Sequence, residues 1–135
     1  MIVVDTNIII HIHVHSDRTA LALQALKKNP HWVAPPLWQS EFRNVMTGYI
    51  RHRILKLEDA KLVMKSALKT MEDREILPPS DLVLDLAAAS NCSAYDCEYV
   101  ALAKHLSVKL VTSDNEILRS FPETAVDLRV FSGAP

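Results

Sequence analysis

The sequence predicts an α/β domain in which a mostly parallel central sheet carries helices on both faces. The first observation is the run of residues 1–4, which are all apolar and lack the alternation of a half-exposed strand. The second is a similar, mostly apolar run at residues 108–112. The third is the alternation of strand-like and helix-like segments along the chain, which favours a parallel sheet between layers of helices.

The segments are short and follow one another closely. Strands are predicted at residues 1–4, 31–34, 74–77, 108–112 and 125–131. Helices are predicted at residues 19–28, 37–51, 57–71, 80–89 with Ser80 as N-cap, 94–106, and in a short segment that ends near residue 120. Residues 8–15 stay open, because a helix places His11 and His15 on one face whereas a strand aligns both with His13. Solvated or core-edge histidines are the default for this row, and a metal site is the weaker alternative.

The length and composition are those of one globular domain that spans residues 1–135. Apolar residues make up 49% and charged residues 23%, and no apolar stretch approaches the ~20 residues that cross a bilayer. No secretory signal is visible. The two cysteines, Cys92 and Cys97, fit neither a disulfide framework nor a zinc-ligand spacing. We therefore expect a cytoplasmic protein without a membrane partner.

Charge is distributed unevenly, although the net charge of −1 excludes a general polyanion binder. Residues 43–74 hold eight Lys or Arg against four Asp or Glu, whereas residues 80–135 hold four against eight. The first part is suited to phosphate and the second concentrates carboxylates. The candidate phosphate contacts are Arg43, Arg51, Arg53, Lys61, Lys65 and Lys69. A solvated helix face is the default interpretation of the lysine row.

Four acidic residues stand out by their positions. Asp5 and Asp114 end predicted buried strands, while Glu41 and Asp96 lie early in predicted helices. Each acid also has a purely structural interpretation as a helix cap or a first-turn residue, including capping boxes in which Ser93 precedes Asp96 and a second serine precedes Glu116. Right-handed crossovers, however, bring the carboxyl ends of parallel strands to one edge of the sheet. We expect the four carboxylates to converge there.

Such a cluster repels itself unless a cation neutralises it. Several hard oxygen ligands without a competing Cys/His set favour Mg²⁺ or Mn²⁺. A carboxylate-bound metal of this kind that faces phosphate is typical of phosphodiester cleavage. The chain contains only two glycines, which nearly excludes a glycine-rich phosphate loop.

Four motifs give the sequence a resemblance to PIN-domain ribonucleases, and most of all to VapC-type toxins of toxin–antitoxin pairs. They are Val-Asp-Thr-Asn at residues 4–7, Ser-Glu-Phe-Arg-Asn-Val at 40–45, Tyr-Asp-Cys-Glu-Tyr-Val-Ala-Leu-Ala at 95–103, and Leu-Val-Thr-Ser-Asp at 110–114. The resemblance implies a three-layer α/β/α fold, dependence on Mg²⁺ or Mn²⁺, and cleavage of RNA. It implies that Asp5, Glu41, Asp96 and Asp114 are the metal-site acids, supported by Thr6, Asn7 and Thr112. The histidines at 11, 13 and 15 depart from the family, which is mostly apolar there.

The expected function is therefore an RNA endonuclease held in check by a small antitoxin. A homodimer is also implied by the resemblance, with partner binding on the helical side around residues 37–71. Three alternatives remain open: a housekeeping PIN nuclease of RNA maturation without an antitoxin, a catalytically silent PIN scaffold that binds RNA or protein, and a DNA nuclease of related fold. The presence of all four acids counts against the silent scaffold.

Overall fold

The computed structural model describes residues 1–133 and contains a four-stranded parallel sheet. Its strands are β1 (Ile2–Val4), β2 (Trp32–Val33), β3 (Leu110–Thr112) and β4 (Ala125–Asp127), in the order β2-β1-β3-β4. Every pairing is parallel, so the carboxyl ends of the four strands lie at one edge of the sheet. The prediction of an α/β domain with a parallel sheet is confirmed.

Eight helices surround this sheet in the described part of the chain. They are α1 (Thr6–His13), α2 (Thr19–Lys28), α3 (Leu37–Arg51), α4 (Leu57–Thr70), α5 (Ser80–Ala88), α6 (Ala94–Leu106), α7 (Asn115–Ser120) and α8 (Leu128–Ser132). Helices α5 and α6 pack together, and α6 lies against β1 and β3. Helix α1 packs on α2, α3, α4 and β3, so the helices form layers about the sheet. Between residues 1 and 133, no helix is both long and apolar enough to cross a membrane.

The two central strands are buried throughout, as their uninterrupted apolar runs predict. Residues Val3 and Val4 of β1 pair with Leu110 and Val111 of β3, and none of these four side chains is exposed. The pairing continues one residue past β1, because the Asp5 amide donates to the Val111 carbonyl at 3.0 Å. The backbone thereby fixes Asp5 at the carboxyl edge of the sheet.

One predicted strand was wrong, and another was predicted too long. At residues 74–77 a single bridge joins Glu75 to Ala34, and Pro78 and Pro79, which have no amide hydrogen, follow directly. The strand predicted at 125–131 stops at Asp127, and α8 follows. The Asp127 carboxylate accepts a hydrogen bond from the Arg129 amide at 2.8 Å and so caps that helix.

One predicted cap was also wrong, one alternative capping box is absent, and one open question is resolved. Helix α5 is preceded by Pro79 at the N-cap, so Ser80 lies inside the helix. At α7 the cap is Asp114, whose carboxylate accepts from the Ile117 amide at 3.0 Å, in place of the preceding serine. Residues 6–13 are helical, because Asp5 caps α1 through the Thr6 amide.

The end of helix α6 gives a test of backbone strain. Ser107 is exposed and has a φ of 56°, a left-handed conformation that costs a residue with a Cβ about 1–2 kcal/mol. Ser107→Gly should raise the free energy of unfolding by about 1 kcal/mol in urea titrations. Ser107→Ala, which keeps the Cβ, should leave it nearly unchanged. Equal stability of the glycine and alanine variants would contradict the strain.

Candidate metal and active site

Asp5 is the most deeply buried acid of the candidate site and directly follows β1. Its side chain is only 8% exposed, and both of its carboxylate oxygens accept hydrogen bonds. Oδ1 accepts from the Thr6 amide at 2.8 Å, and Oδ2 accepts from the Thr112 hydroxyl at 2.7 Å. The Asn7 side-chain amide lies 3.5 Å from Oδ2. Three of the residues predicted to support the site therefore contact Asp5 directly.

Thr112 joins Asp5 to Asp114 at the end of β3. Its hydroxyl donates to Asp5 and accepts from the Asp114 amide at 3.0 Å. Thr112 is completely buried, so this hydroxyl has no access to water and is committed to the two acids. Because Asp114 also caps α7, its backbone and its carboxylate are both held at the same edge as Asp5.

Glu41 reaches the site from helix α3, 36 residues along the chain from Asp5. Its Oε1 accepts from the Tyr99 hydroxyl at 2.5 Å and from the Thr6 hydroxyl at 3.0 Å. The hydroxyls of Thr6 and Tyr99 are 2.6 Å apart. Burial raises the pKa of Tyr99, as do the nearby charges of Glu41 and Asp5, so its phenol stays protonated. Helices α1, α3 and α6 thus meet in one cluster of hydrogen bonds.

Asp96 lies in the first turn of α6 and is half-buried. Its amide donates to the Ser93 hydroxyl at 3.0 Å, which is one half of the predicted capping box. Burial and then the charge of Asp114 raise the pKa of Asp96. The cap and the proximity to the acidic cluster therefore coexist at this residue.

The acids share one electrostatic environment. Burial raises the pKa of Asp5 to about 7; hydrogen bonds from Thr112 and Thr6 lower it, and the charges of Glu41 and Asp114 raise it. The ion pairs found within residues 1–133 are Lys61–Glu58 and Arg119–Glu116, both on the surface. No Lys, Arg or His of the described chain neutralises the four predicted acids.

The four predicted acids lie near the same edge of the sheet, but they do not form a preformed metal site in residues 1–133. Nowhere in residues 1–133 are three or more His, Cys, Asp or Glu side chains arranged closely enough to enclose a metal ion. This holds for the histidines of α1 as well: His13 instead packs edge-on against Phe42 with ring centroids 6.5 Å apart. The acidic edge nevertheless fits a hard divalent cation, because its donors are carboxylate oxygens without a cationic partner. The buried Oδ1 of Asn7 also has no hydrogen-bond partner among the described residues.

Comparison with known proteins assigns the family. The family model described as the PIN domain matches residues 2–123. The chain belongs to the PIN-domain family. This PIN domain is 24% identical over 124 residues to Ribonuclease VapC3 of Pyrobaculum aerophilum, covering 90% of this chain and 95% of that protein.

Two crystal structures have the same fold as this PIN domain. PAE2754 from Pyrobaculum aerophilum superposes with a TM-score of 0.74 at 22% identity, covering 98% of this chain and 93% of that one. FitAcB from Neisseria gonorrhoeae gives a TM-score of 0.73 at 15% identity, covering 95% and 98%. The predicted α/β/α PIN-like fold is confirmed.

Two residues of the PIN domain's acidic edge escaped the sequence analysis. Tyr99 lies on the buried face of α6, where an aromatic residue is read as core, and only its hydroxyl reaches Glu41. Glu98 is a fifth acid, whose pKa is raised by burial and by the charge of Glu41. The available signal for Tyr99 was its spacing of three residues after Asp96, since residues three apart are neighbours on a helix surface. Glu98, two residues after Asp96, carried no such signal.

The predicted basic residues are all exposed. Arg43 follows Glu41 by two residues on α3 and donates to the Ser40 hydroxyl at 3.2 Å. Arg51 lies ten residues beyond Glu41 on the same helix, a distance of about 15 Å. The lysine row lies on α4, and Lys61 is 3.5 Å from Glu58. Whether these residues bind RNA stays a prediction.

Because Asp5 is buried, we expect the stability of the metal-free protein to depend on pH. The pKa of Asp5 is about 7 in the fold and about 4 in an unfolded chain, so its ionisation opposes folding. The stability it contributes is complete below about pH 4 and is lost as pH rises through 7. The loss should amount to roughly 2–4 kcal/mol in urea titrations between pH 4.5 and 8.

The matched variant is Asp5→Asn, which cannot ionise. Its one oxygen can still accept from the Thr6 amide, and its NH2 group can donate to the Thr112 hydroxyl. Its stability should change less with pH than that of the wild type, and the difference between the two curves isolates Asp5. Parallel curves for the two proteins would contradict the raised pKa.

Proposed function

We propose that this PIN domain is a Mg²⁺- or Mn²⁺-dependent endoribonuclease, with Asp5, Glu41, Asp96 and Asp114 as its metal-binding acids. The observation that carries the proposal is the buried carboxylate of Asp5, which shares its environment with Glu41 and Asp114 and has no cationic partner in residues 1–133. A fold that retains such a charge conflict is expected to resolve it by binding a cation. The relative named Ribonuclease VapC3 supports RNA as the substrate.

The residues of the chain would bind the cation and orient its ligands, and the raised pKa of Asp5 would make binding depend on pH. Thr112 and the Thr6 amide hold the two oxygens of Asp5, and Thr112 keeps Asp114 beside it. When bound, the cation would supply an activated water and stabilise the charge that develops on the phosphate. Protons compete with the cation for Asp5, so metal affinity should increase as pH rises through the pKa of about 7.

We propose that RNA is bound by the exposed basic residues of α3, of α4 and of the turn between them, which contains Arg53. Phosphate contacts supply most of the affinity in sequence-independent binding, and they require exposed Lys or Arg. Arg43 is two residues from Glu41, and the other basic residues lie further along the chain. A strand of RNA bound along α3 would then pass from the basic surface towards the acidic edge.

The partners proposed are a small antitoxin and a second copy of the chain, in the cytoplasm. The support for the antitoxin is the resemblance to VapC-type toxins and the name of the relative Ribonuclease VapC3. The homodimer rests on the resemblance alone. A monomer mass that does not change with concentration would exclude the homodimer, and a nuclease encoded without a partner gene would favour the housekeeping alternative.

Asp96→Asn tests the metal site, since it removes charge but keeps an oxygen and the Ser93 cap. The variant should melt at or above the wild-type temperature in metal-free buffer, because repulsion from Asp114 is relieved. It should lose the stabilisation that Mn²⁺ gives the wild type. Cleavage of single-stranded RNA should fall by about 100-fold or more, which is at least the cost of disturbing a metal ligand's supports.

The matched control is Asp85→Asn, an exposed acid on α5, which should behave as the wild type. If Asp96→Asn melts earlier and still cuts RNA at the wild-type rate, Asp96 is only a helix cap. Wild-type cleavage that persists in EDTA would exclude the metal mechanism. Preferential cleavage of DNA would transfer the proposal to a DNA nuclease, and the absence of any cleavage would support the silent scaffold.

The basic surface is tested by the salt dependence of RNA binding in EDTA. Lys65→Gln with Lys69→Gln should weaken binding and reduce the slope of log affinity against log salt by about 1.4, or 0.7 per lost phosphate contact. Lys27→Gln with Lys104→Gln removes the same charge from exposed positions on α2 and α6. Identical slopes for the two double variants would show that the α4 row is only a solvated face.

A further inference from the structure

The two oxygens of the Glu41 carboxylate have different surroundings. Oε1 accepts from the Tyr99 hydroxyl at 2.5 Å and from the Thr6 hydroxyl at 3.0 Å. No hydrogen-bond partner for Oε2 is found in the chain from residue 1 to 133. Glu41 is only half-buried and Oε2 itself is not buried, so this second oxygen is accessible while the first is occupied.

The hydrogen atoms on the two hydroxyls can be assigned from their partners. Tyr99 has one hydroxyl hydrogen and donates it to Glu41, so in its 2.6 Å contact with Thr6 the threonine is the donor. The Thr6 hydrogen is then shared between the Tyr99 oxygen and Glu41 Oε1. Both hydroxyls therefore direct positive charge at the same carboxylate oxygen.

Tyr99 is the more rigid of the two donors. Its side chain is 1% exposed, and it projects from the middle of α6, the helix that packs on β1 and β3. A packed tyrosine ring has few torsions with which to move its hydroxyl. Glu41 has a longer and more flexible side chain on α3. The geometry therefore makes Tyr99 the fixed point and Glu41 the group that is held.

We propose that Tyr99 is a positioning residue of the acidic site: with Thr6 it holds Oε1 of Glu41 and leaves Oε2 as the one oxygen offered to a cation. This inference rests on the proposed metal-dependent function. A carboxylate held in this way binds through a single oxygen. Ca²⁺ often takes both oxygens of a carboxylate, whereas Mg²⁺ and Mn²⁺ sites with octahedral geometry suit single-oxygen ligands. This hold of Tyr99 and Thr6 on Glu41 therefore favours Mg²⁺ and Mn²⁺ over Ca²⁺.

The test measures the affinities of Mn²⁺ and Ca²⁺ separately in wild type and Tyr99→Phe. The phenylalanine keeps the ring in the core and removes only the hydroxyl. We expect Mn²⁺ affinity to fall about 10-fold or more, the usual cost of removing a group that orients a metal ligand. Ca²⁺ affinity should fall less, because a released carboxylate can supply both oxygens. A variant that was merely less well packed would lose affinity for both ions equally.

Tyr95→Phe is the matched control, since Tyr95 lies on the same helix and is 63% exposed. It should bind both ions as the wild type does. Thr6→Val removes the second hydroxyl with little change of shape and should shift the ratio of Mn²⁺ to Ca²⁺ affinity in the same direction. Thr6→Ser, which restores a hydroxyl, should return the ratio towards the wild-type value. This pair keeps the test available if Tyr99→Phe does not fold.

Each result has one meaning. Unchanged Mn²⁺ affinity in Tyr99→Phe, or equal losses for the two ions, overturns the positioning role. If the wild type binds Mn²⁺ and cuts RNA while the variant is indistinguishable from it, only this inference fails. If the wild type binds neither ion, the proposed function fails and the positioning role falls with it.

Discussion

The parallel pairing of β1 with β3 is the constraint on which the site depends. The backbone bond from the Asp5 amide to the Val111 carbonyl places a carboxylate at the end of β1, beside the polar residues 112–114 that end β3. The buried hydroxyl of Thr112 then joins Asp5 to the backbone of Asp114. The side chains of the paired residues 3–4 and 110–111 are fully buried, so a slip of one residue would disrupt close packing on both faces of the sheet. The same register that packs the core therefore also sets the position of Asp5 relative to Asp114.

The fold compensates for this concentration of negative charge with neutral donors alone. Hydroxyls and backbone amides contact the Asp5 and Glu41 carboxylates, and no lysine or arginine does so in the described chain. Neutral donors orient a carboxylate without cancelling its charge, which leaves the edge electronegative and predisposed to a cation. A lysine or arginine in the same place would cancel part of that charge and weaken its attraction for a cation.

Sequence reasoning succeeded where one local rule determined the outcome. The pattern of α6 and the apolar runs of β1 and β3 gave the fold class, and the strand-end acids gave the edge. It failed where two rules competed: the cap supplied by Asp127 ended β4 and started α8, although the apolar pattern continued. The role of Tyr99 depends on which atom of a buried ring meets Glu41, and periodicity carries no such information. The distances between the acids likewise depend on side-chain rotamers, which a sequence does not specify.

Asp5 has two structural roles, and these restrict which residues can replace it. The same carboxylate starts helix α1 through the Thr6 amide and takes part in the acidic edge. A descendant freed from selection for activity would still need the cap, so alanine would be removed by selection for folding while asparagine or serine would be accepted. Inactive relatives should therefore retain a small polar residue at this position. Loss of the carboxylate would therefore leave a polar helix cap at this position, because the fold still requires it.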